Sequence, residues 1–557
     1  MSYMLSISIG PVQDFIAAAR RTRDLRTGSW LLSEISKAVA SALRDSGAEL
    51  VFPFSPDLET DLSPASPYAV ANKIVAIVEA QDEGQLRAVA GRLHAAATRR
   101  LLDIGRQAFG QSRAALLLNG LDQDRAETQL EPFIEFYAAW APFDESTYRQ
   151  CREHVEEWAA ARKALRDFIP HDGRAGLPKS SLDGIRETVI RKNGLRPGQF
   201  FIRENEQLDG VGIVKRFAGP KDRFDSTIDV AAGPYVTRLS RTCPEALGRY
   251  KKYLEDHEDD IPFTYSYLFQ HDSRGPEQLA EPHRSEVEQI VKEAGFPLPA
   301  PPYYAFLLGD GDSMGETIST LTGKDHHRDL SVRLSRFAKS AQELASQHDG
   351  WNLVFAGGDD LMAMLPLHEA LEGALGFREC FGKAMEGLAK PPTLSAGIAV
   401  VHALEPLSEV RRLAKSAERT AKKMPGKDAL AILVAARSGS PITFCDHWNT
   451  LATEIQSAIG LYSARALSPS FAYALRDLLH TSGRRDFEHL DEVLFPLACA
   501  MAEKKQAKPE FLRRLNATAQ RAVADSGPRP YRAALSRLME LLLVARPFAR
   551  AKREAEA

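Results

Sequence analysis

Gly357, Gly358, Asp359 and Asp360 stand between two apolar runs, 351–355 and 361–365, each read as a strand. Paired glycines permit a tight hairpin turn, which would put both carboxylates at its tip. A buried-strand run at 303–309 ends in Asp310, followed by Gly311, Asp312, Ser313, Met314 and Gly315. A glycine-bounded turn leading into a helix offers backbone N–H groups to phosphate. Carboxylates from a strand end and a neighbouring hairpin can converge on one or two Mg²⁺ ions, which clamp nucleotide phosphates and activate a ribose hydroxyl. Lys422 ends a helical pattern, and Lys427 precedes the next strand, so both are placed to hold a triphosphate. Each piece alone has an ordinary reading: a good hairpin loop, a surface or calcium-type turn, a solvated helix end. Their combination outlines a phosphoryl-transfer site.

The elements that would position these residues follow an order βαββαβαβ. Strands are expected at 303–309, 351–355, 361–365, 393–401 and 429–434, with helices at 332–347, 369–388 and 407–423. Upstream, a strand at 4–10 precedes a long helical pattern at 12–43. Strands at 49–54 and 72–79 then flank a Pro/Ser-rich loop at 55–67, followed by a helix at 83–109 and a strand at 113–118. Residues 145–300 are less regular, with a helix at 148–168, turn clusters at 170–178 and 196–199, and a proline-rich end at Pro297, Pro299, Pro301 and Pro302. From Asp446 onward the periodicity is helical.

The 557 residues carry 71 Lys plus Arg against 74 Asp plus Glu and are 44% hydrophobic, which excludes disordered, collagenous and membrane-spanning classes. Near-neutrality leaves nucleic acid open, because a basic face can sit on a neutral surface. Cys151, Cys243, Cys380, Cys445 and Cys499 are far apart, so neither a disulfide framework nor a zinc knuckle is legible. Residues 1–12 lack the basic start of a secretion signal, and no apolar run approaches the 18 or so residues that span a bilayer, so a cytoplasmic protein without membrane contact is expected.

Asp310 after the first strand, Gly357-Gly358-Asp359-Asp360 on the hairpin, and Ala421-Lys422 ahead of Gly426-Lys427 resemble the palm domain shared by diguanylate cyclases, class III nucleotidyl cyclases and family B-like polymerases. Four further segments narrow the resemblance: Ser6-Ile7-Ser8-Ile9-Gly10-Pro11-Val12-Gln13-Asp14-Phe15-Ile16, Gly28-Ser29-Trp30-Leu31-Leu32-Ser33, Pro178-Lys179-Ser180-Ser181-Leu182-Asp183-Gly184, and Leu208-Asp209-Gly210-Val211-Gly212 with Lys215-Arg216. Over essentially its whole length the chain resembles the large polymerase/cyclase subunit of type III-B CRISPR effector complexes of the Cmr type.

The resemblance implies an α+β multidomain fold with two ferredoxin-like palm domains of the nucleotidyl-cyclase or GGDEF-like kind. It divides the chain into a degenerate first palm at 1–144, a middle α-rich domain at 145–300, a second palm at 301–440 with the active site, and a C-terminal helical domain at 441–557. In the first palm the loop equivalent to the acidic hairpin would lie in 55–67, which has no Gly-Gly-Asp-Asp. Asp310, Asp359 and Asp360 match the catalytic metal ligands, with Asp312 beside them. Gly311, Ser313, Gly315, Gly357, Gly358, Lys422 and Lys427 would line the nucleotide, and Ser395 would reach adenine or be a small residue under a helix.

Two Mg²⁺ or Mn²⁺ ions are implied, with ATP as substrate and S-adenosylmethionine as co-substrate in some members. The product would be a second messenger, a cyclic oligoadenylate or an adenylylated S-adenosylmethionine. The implied partners are a ribonucleoprotein holding a guide crRNA, other Cmr-type subunits including small helical ones, and target RNA that switches the enzyme on. A catalytically silent structural subunit and a stand-alone diguanylate cyclase-like enzyme are the competing readings.

Two departures from the family shape the expectation. Many members begin with an HD nuclease domain, whereas the first palm strand here starts at Met4, and His171-Asp172 and His348-Asp349 stand alone, so no DNase activity is expected. Relatives often carry a cysteine zinc knuckle where 179–191 has no cysteine, so no structural zinc is expected. Asp325-His326-His327 reads as a polar loop ahead of helix 332–347. Arg20, Arg21, Arg23 and Arg26 read as a solvated face or an RNA- or partner-facing one, and Arg546, Arg550, Lys552 and Arg553 as an exposed helix end with phosphate contact open.

Overall fold

The computed structural model of the chain describes residues 1–64, 66–110, 120–165, 176–191, 202, 206–220, 224–257, 261, 263–269, 282–297, 299–437, 439–483, 490–524 and 529–557. The expected strand at 113–118, the turn at 196–199, most of the 170–178 cluster and His171-Asp172 lie outside the described residues.

The first sheet is built from β1 (Ser2–Gly10), β2 (Glu49–Phe52), β3 (Lys73–Glu79) and β4 (Glu135–Pro142). Helices α1 (Thr22–Asp45), α2 (Glu83–Gly110) and α3 (Gln123–Leu130) lie among them in the chain. The order is β2-β3-β1-β4, antiparallel throughout, with Ile7 opposite both Ile74 and Ala138. Alternation along β1 sends Leu5, Ile7 and Ile9 into a core with α1 and α2, and Met4 into a smaller one with Val51, Val75 and Tyr148. Tyr148 opens α4 (Tyr148–Ala164), which covers that second face. The sequence reading missed β4, whose Ala-rich run has weak intrinsic strand preference and is set by pairing to β1.

The helix expected at 12–43 is interrupted. A short helix at Gln13–Ala17 stops, and α1 starts afresh at Thr22. Two buried charges specify the break. The backbone N–H groups of Arg20 and Arg21 both donate to Asp24 at 3.1 Å. From α5 (Gly210–Phe217), Lys215 donates to the carbonyls of Phe15 and Ala18, each at 2.6 Å. Arg216 beside it is fully buried and pairs with Asp24 and Glu206. Burial pulls the Lys215 ammonium down to about 8, against the pull of Asp24 and other carboxylates.

After helices α6 (Thr227–Thr242), α7 (Pro244–Asp256) and α8 (His283–Ala294) comes the second sheet. Its elements are β5 (Tyr303–Gly311), α9 (Met314–Ser319), α10 (Lys324–Ser346), β6 (Asn352–Gly357), β7 (Asp360–Pro366), α11 (Ala370–Met385), β8 (Leu394–His402), α12 (Leu407–Ala421), β9 (Ala429–Val434) and β10 (Ile442–His447). The order is β10-β9-β8-β5-β7-β6. Its β8-β5-β7-β6 part repeats the β4-β1-β3-β2 arrangement of the first sheet, so the α+β, twice-repeated palm-like fold expected from the sequence is present. β5 is buried on both faces, Ala305 and Leu307 in one core and Tyr304, Phe306 and Leu308 in another, which is why it reads as an unbroken apolar run.

The loop expected at Asp325-His326-His327 is instead helical, because α10 begins at Lys324. His327 is 4% exposed, lies 2.8 Å from the Tyr148 hydroxyl and stacks on Phe52. Contact with the first sheet therefore orders this turn. The same seam pairs Ser331 Oγ with the backbone N–H of Phe54 at 2.7 Å and Arg328 with the Leu50 carbonyl.

The chain ends in α13 (Trp448–Ser463), α14 (Pro469–Gly483), α15 (Leu490–Lys504), α16 (Pro509–Ala524) and α17 (Pro530–Glu556). These helices share one continuous core with a face of the second sheet through Trp448, Leu451 and Leu542. Among the described residues no helix is long and apolar enough to cross a membrane.

Candidate functional site

β5 delivers Asp310 to the middle of the second sheet, opposite Asp360 on β7 and Ser395 on β8. Between β6 and β7 only Gly358 and Asp359 form the turn, and Gly358 takes φ +60°. The backbone N–H of Gly311 donates to the Asp359 carbonyl at 3.0 Å, tying the strand end to the hairpin tip. A Cβ on Gly311 would lie 2.8 Å from that of Asp359, so only glycine allows this approach. Asp310, Asp359 and Asp360 are thus brought together as expected.

Three carboxylates in one place repel, and the site shows it. Loss of water around the hairpin, with repulsion from Asp359 and Asp310, pushes Asp360 up to about 7, although its side chain still reaches solvent. Asp359 is raised by desolvation and by Asp310, with Lys422 working against the rise. Lys422, at the end of α12, forms an ion pair with Asp310. Burial opposes its charge, and Asp310 more than offsets this, leaving the ammonium above its ordinary value.

Among the described residues, no three His, Cys, Asp or Glu side chains close tightly enough to cage a metal by themselves. The donor set still fits Mg²⁺ or Mn²⁺: it is all hard carboxylate oxygen, and Mg²⁺ is typically held by one or two carboxylates plus substrate phosphates. Lys422 against Asp310 marks where positive charge is required.

Asp312 and Ser395 have a different placement. Asp312 is 3% exposed, and its Oδ2 accepts from Thr393 Oγ1 at 2.7 Å, Ser395 Oγ at 2.8 Å and the Asp428 N–H at 3.1 Å. Ser395 is fully buried beneath it. Ser313 precedes α9 in the left-handed region at φ +56°, and Lys427 Nζ donates to its hydroxyl at 2.9 Å. Gly315 is exposed in the first turn of α9, and Gly357 ends β6 beside Ala69 of the first-sheet loop. That loop, 53–72, stands where the second sheet has its two-residue turn. An open groove along β6, past Tyr68, Phe355 and Ala356, borders the site without including the aspartates. Sequence reasoning missed Thr393, Arg378 and Asp428; Asp428 follows Lys427 directly, but Arg378 lies mid-helix with no local signal.

Residues 303–431 match the family model for the second palm domain of Cas10/Cmr2, and residues 4–104 that for the N-terminal region of the CRISPR-associated protein Cmr2. Over these two segments the chain resembles the Cas10/Cmr2 family. A Cas10/Cmr2 relative, the CRISPR system Cmr subunit Cmr2 of Pyrococcus furiosus, is 25% identical over 78% of this chain. The chain spans 62% of that relative's length. Among solved structures, a chain of the apo type III-B Cmr-beta complex matches at TM-score 0.62 with 14% identity, over 90% of this chain and 77% of that one. A chain of a Csm1–Csm4 cassette in complex with cA4 matches at TM-score 0.50 with 12% identity, over 97% and 70%. Both share this chain's fold. All five thiols of the chain are free.

Proposed function

We propose that the chain is the nucleotidyltransferase subunit of a type III-B antiviral ribonucleoprotein, activated by target RNA and using ATP to build an oligoadenylate-type second messenger. The observation that carries this is the convergence of Asp310, Asp359 and Asp360 at a strand end and a two-residue hairpin. The Cmr-beta and Csm1–Csm4 resemblances, the latter in complex with cA4, support the assignment to guide-RNA complexes and adenine-nucleotide chemistry. The division at residues 144, 300 and 440 belongs to the same proposal.

Asp310, Asp359 and Asp360 would hold Mg²⁺ or Mn²⁺. When bound, the metal supplies a lowered pKa for the attacking 3′-hydroxyl and charge neutralisation for the leaving pyrophosphate. The glycine turn at Gly311 and Gly315 keeps side chains away from the phosphates, and Lys422 and Lys427 neutralise them. Ser313 takes a phosphate oxygen in exchange for the Lys427 ammonium. Asp312 and Ser395 hold this floor in place from below.

The test is the reconstituted complex with guide, matching target RNA, Mg²⁺ or Mn²⁺ and labelled ATP, with and without S-adenosylmethionine. A new labelled product that requires target RNA is expected. No product under any of these conditions, with assembly verified, would sink the reading.

A further inference from the structure

Three successive residues in the turn between α12 and β9, Gly426, Lys427 and Asp428, have positive φ, at +77°, +55° and +45°. Two of them are not glycine. Such a backbone is strained for a non-glycine residue and persists only where the surroundings over-determine it. Two contacts do so here. From below, Asp312 Oδ2 accepts the Asp428 N–H. From the side, Arg378 of α11 grips the Asp428 carboxylate with both arms of its fork, Nε to Oδ1 at 3.0 Å and Nη2 to Oδ2 at 2.6 Å. The guanidinium also lies over the Trp448 ring at 5.7 Å and reaches Asn449, so its other side rests on the first turn of α13.

We infer that Arg378 and Asp428 are positioning residues for Lys427: the bidentate pair locks the strained turn so that the Lys427 ammonium stays over Ser313, ready for a triphosphate. This rests on the nucleotide reading above. Neither residue touches the phosphates itself. A planar fork seated on an indole fixes direction as well as charge, which a lysine at 378 would not reproduce. The arrangement also ties the phosphate turn to the start of the C-terminal helices.

The test is binding of a non-hydrolysable ATP analogue and of AMP to the full chain, by calorimetry, for wild type, Arg378→Ala, Asp428→Asn, Lys427→Ala and the double variant Arg378→Ala/Lys427→Ala. Arg378→Ala and Asp428→Asn should each weaken the ATP analogue about tenfold, the scale of one charge-assisted phosphate contact, and leave AMP nearly unchanged. In the Lys427→Ala background, Arg378→Ala should add almost nothing. A wild-type chain that binds no ATP analogue would refute the nucleotide reading itself. Wild-type binding with an equal Arg378→Ala loss in both backgrounds, an equal loss for AMP, or no loss at all would overturn the positioning role alone. Asp428→Asn keeps the side-chain shape and decides the matter if Arg378→Ala does not fold.

Discussion

Lys422 forms its ion pair with Asp310, the strand-end carboxylate that the metal reading needs. The lysine therefore both opposes and assists the proposed chemistry. On that reading it would compete with a divalent cation for Asp310 when no nucleotide is bound, and would turn to phosphate when one is. Lys422→Met should tighten nucleotide-free Mn²⁺ binding and weaken ATP-analogue binding, each by roughly three- to tenfold for one charge at close range. Mn²⁺ resonance titration and calorimetry give the two signs separately; a change of the same sign in both would refute the competition.

Asp360, held up to about 7, makes pH a probe of the cluster. Below about pH 4 the group is protonated in folded and unfolded chains alike. Between about 4 and 7 the unfolded carboxyl ionises first, so its contribution to stability falls as pH rises and is fully lost above about 7. In EDTA, the melting temperature of Asp360→Asn should exceed that of wild type increasingly from pH 5 to 8, and Mg²⁺ should narrow the gap at pH 8. Mg²⁺ affinity should rise over the same interval, because the cation displaces the proton. A gap that does not change with pH would show that the carboxylates are not coupled.

Asp312 is the acceptor on which the floor of the site converges. Asp312→Ala takes the acceptor from the exposed Thr393 hydroxyl, the half-buried Asp428 N–H and the buried Ser395 hydroxyl, and should cost about 2 kcal/mol in urea unfolding. Asp312→Asn, which keeps an acceptor oxygen, should recover part of that loss. If the Ala variant proves as stable as wild type, Asp312 does not have this structural role.

Gly397 sets how closely α12 lies on β8. A Cβ there would come within 2.1 Å of the Glu418 backbone nitrogen, and backbone cannot yield as a side-chain tip can. Gly397→Ala should destabilise by about 3 kcal/mol or more and displace the helix that carries Lys422, so that ATP-analogue binding falls with stability. Unchanged melting would contradict the close approach.

Much of the site was legible because its chemistry is local. Gly357-Gly358-Asp359-Asp360 is a complete hairpin in four residues, and Asp310 closes an apolar run that two-sided burial marks as a strand. What stayed hidden is set by partners distant in sequence. The break between Gln13–Ala17 and α1 depends on Lys215 and Arg216, about two hundred residues away in the chain. Likewise His327 becomes helical and buried through Tyr148 and Phe52, and the Arg378 grip on Asp428 joins two elements that carry no shared pattern. Asp312 was read beside the metal ligands, and Ser395 as reaching adenine or as a small residue under a helix; the packed sheet shows the two bonded to each other.

The most direct measurement compares wild type with Asp359→Asn/Asp360→Asn in the reconstituted complex, given guide, matching target RNA, Mg²⁺ and labelled ATP. Target-dependent product is expected from wild type and none from the variant, with assembly and target binding equal in both. Product formed at the wild-type rate by the variant would contradict that expectation.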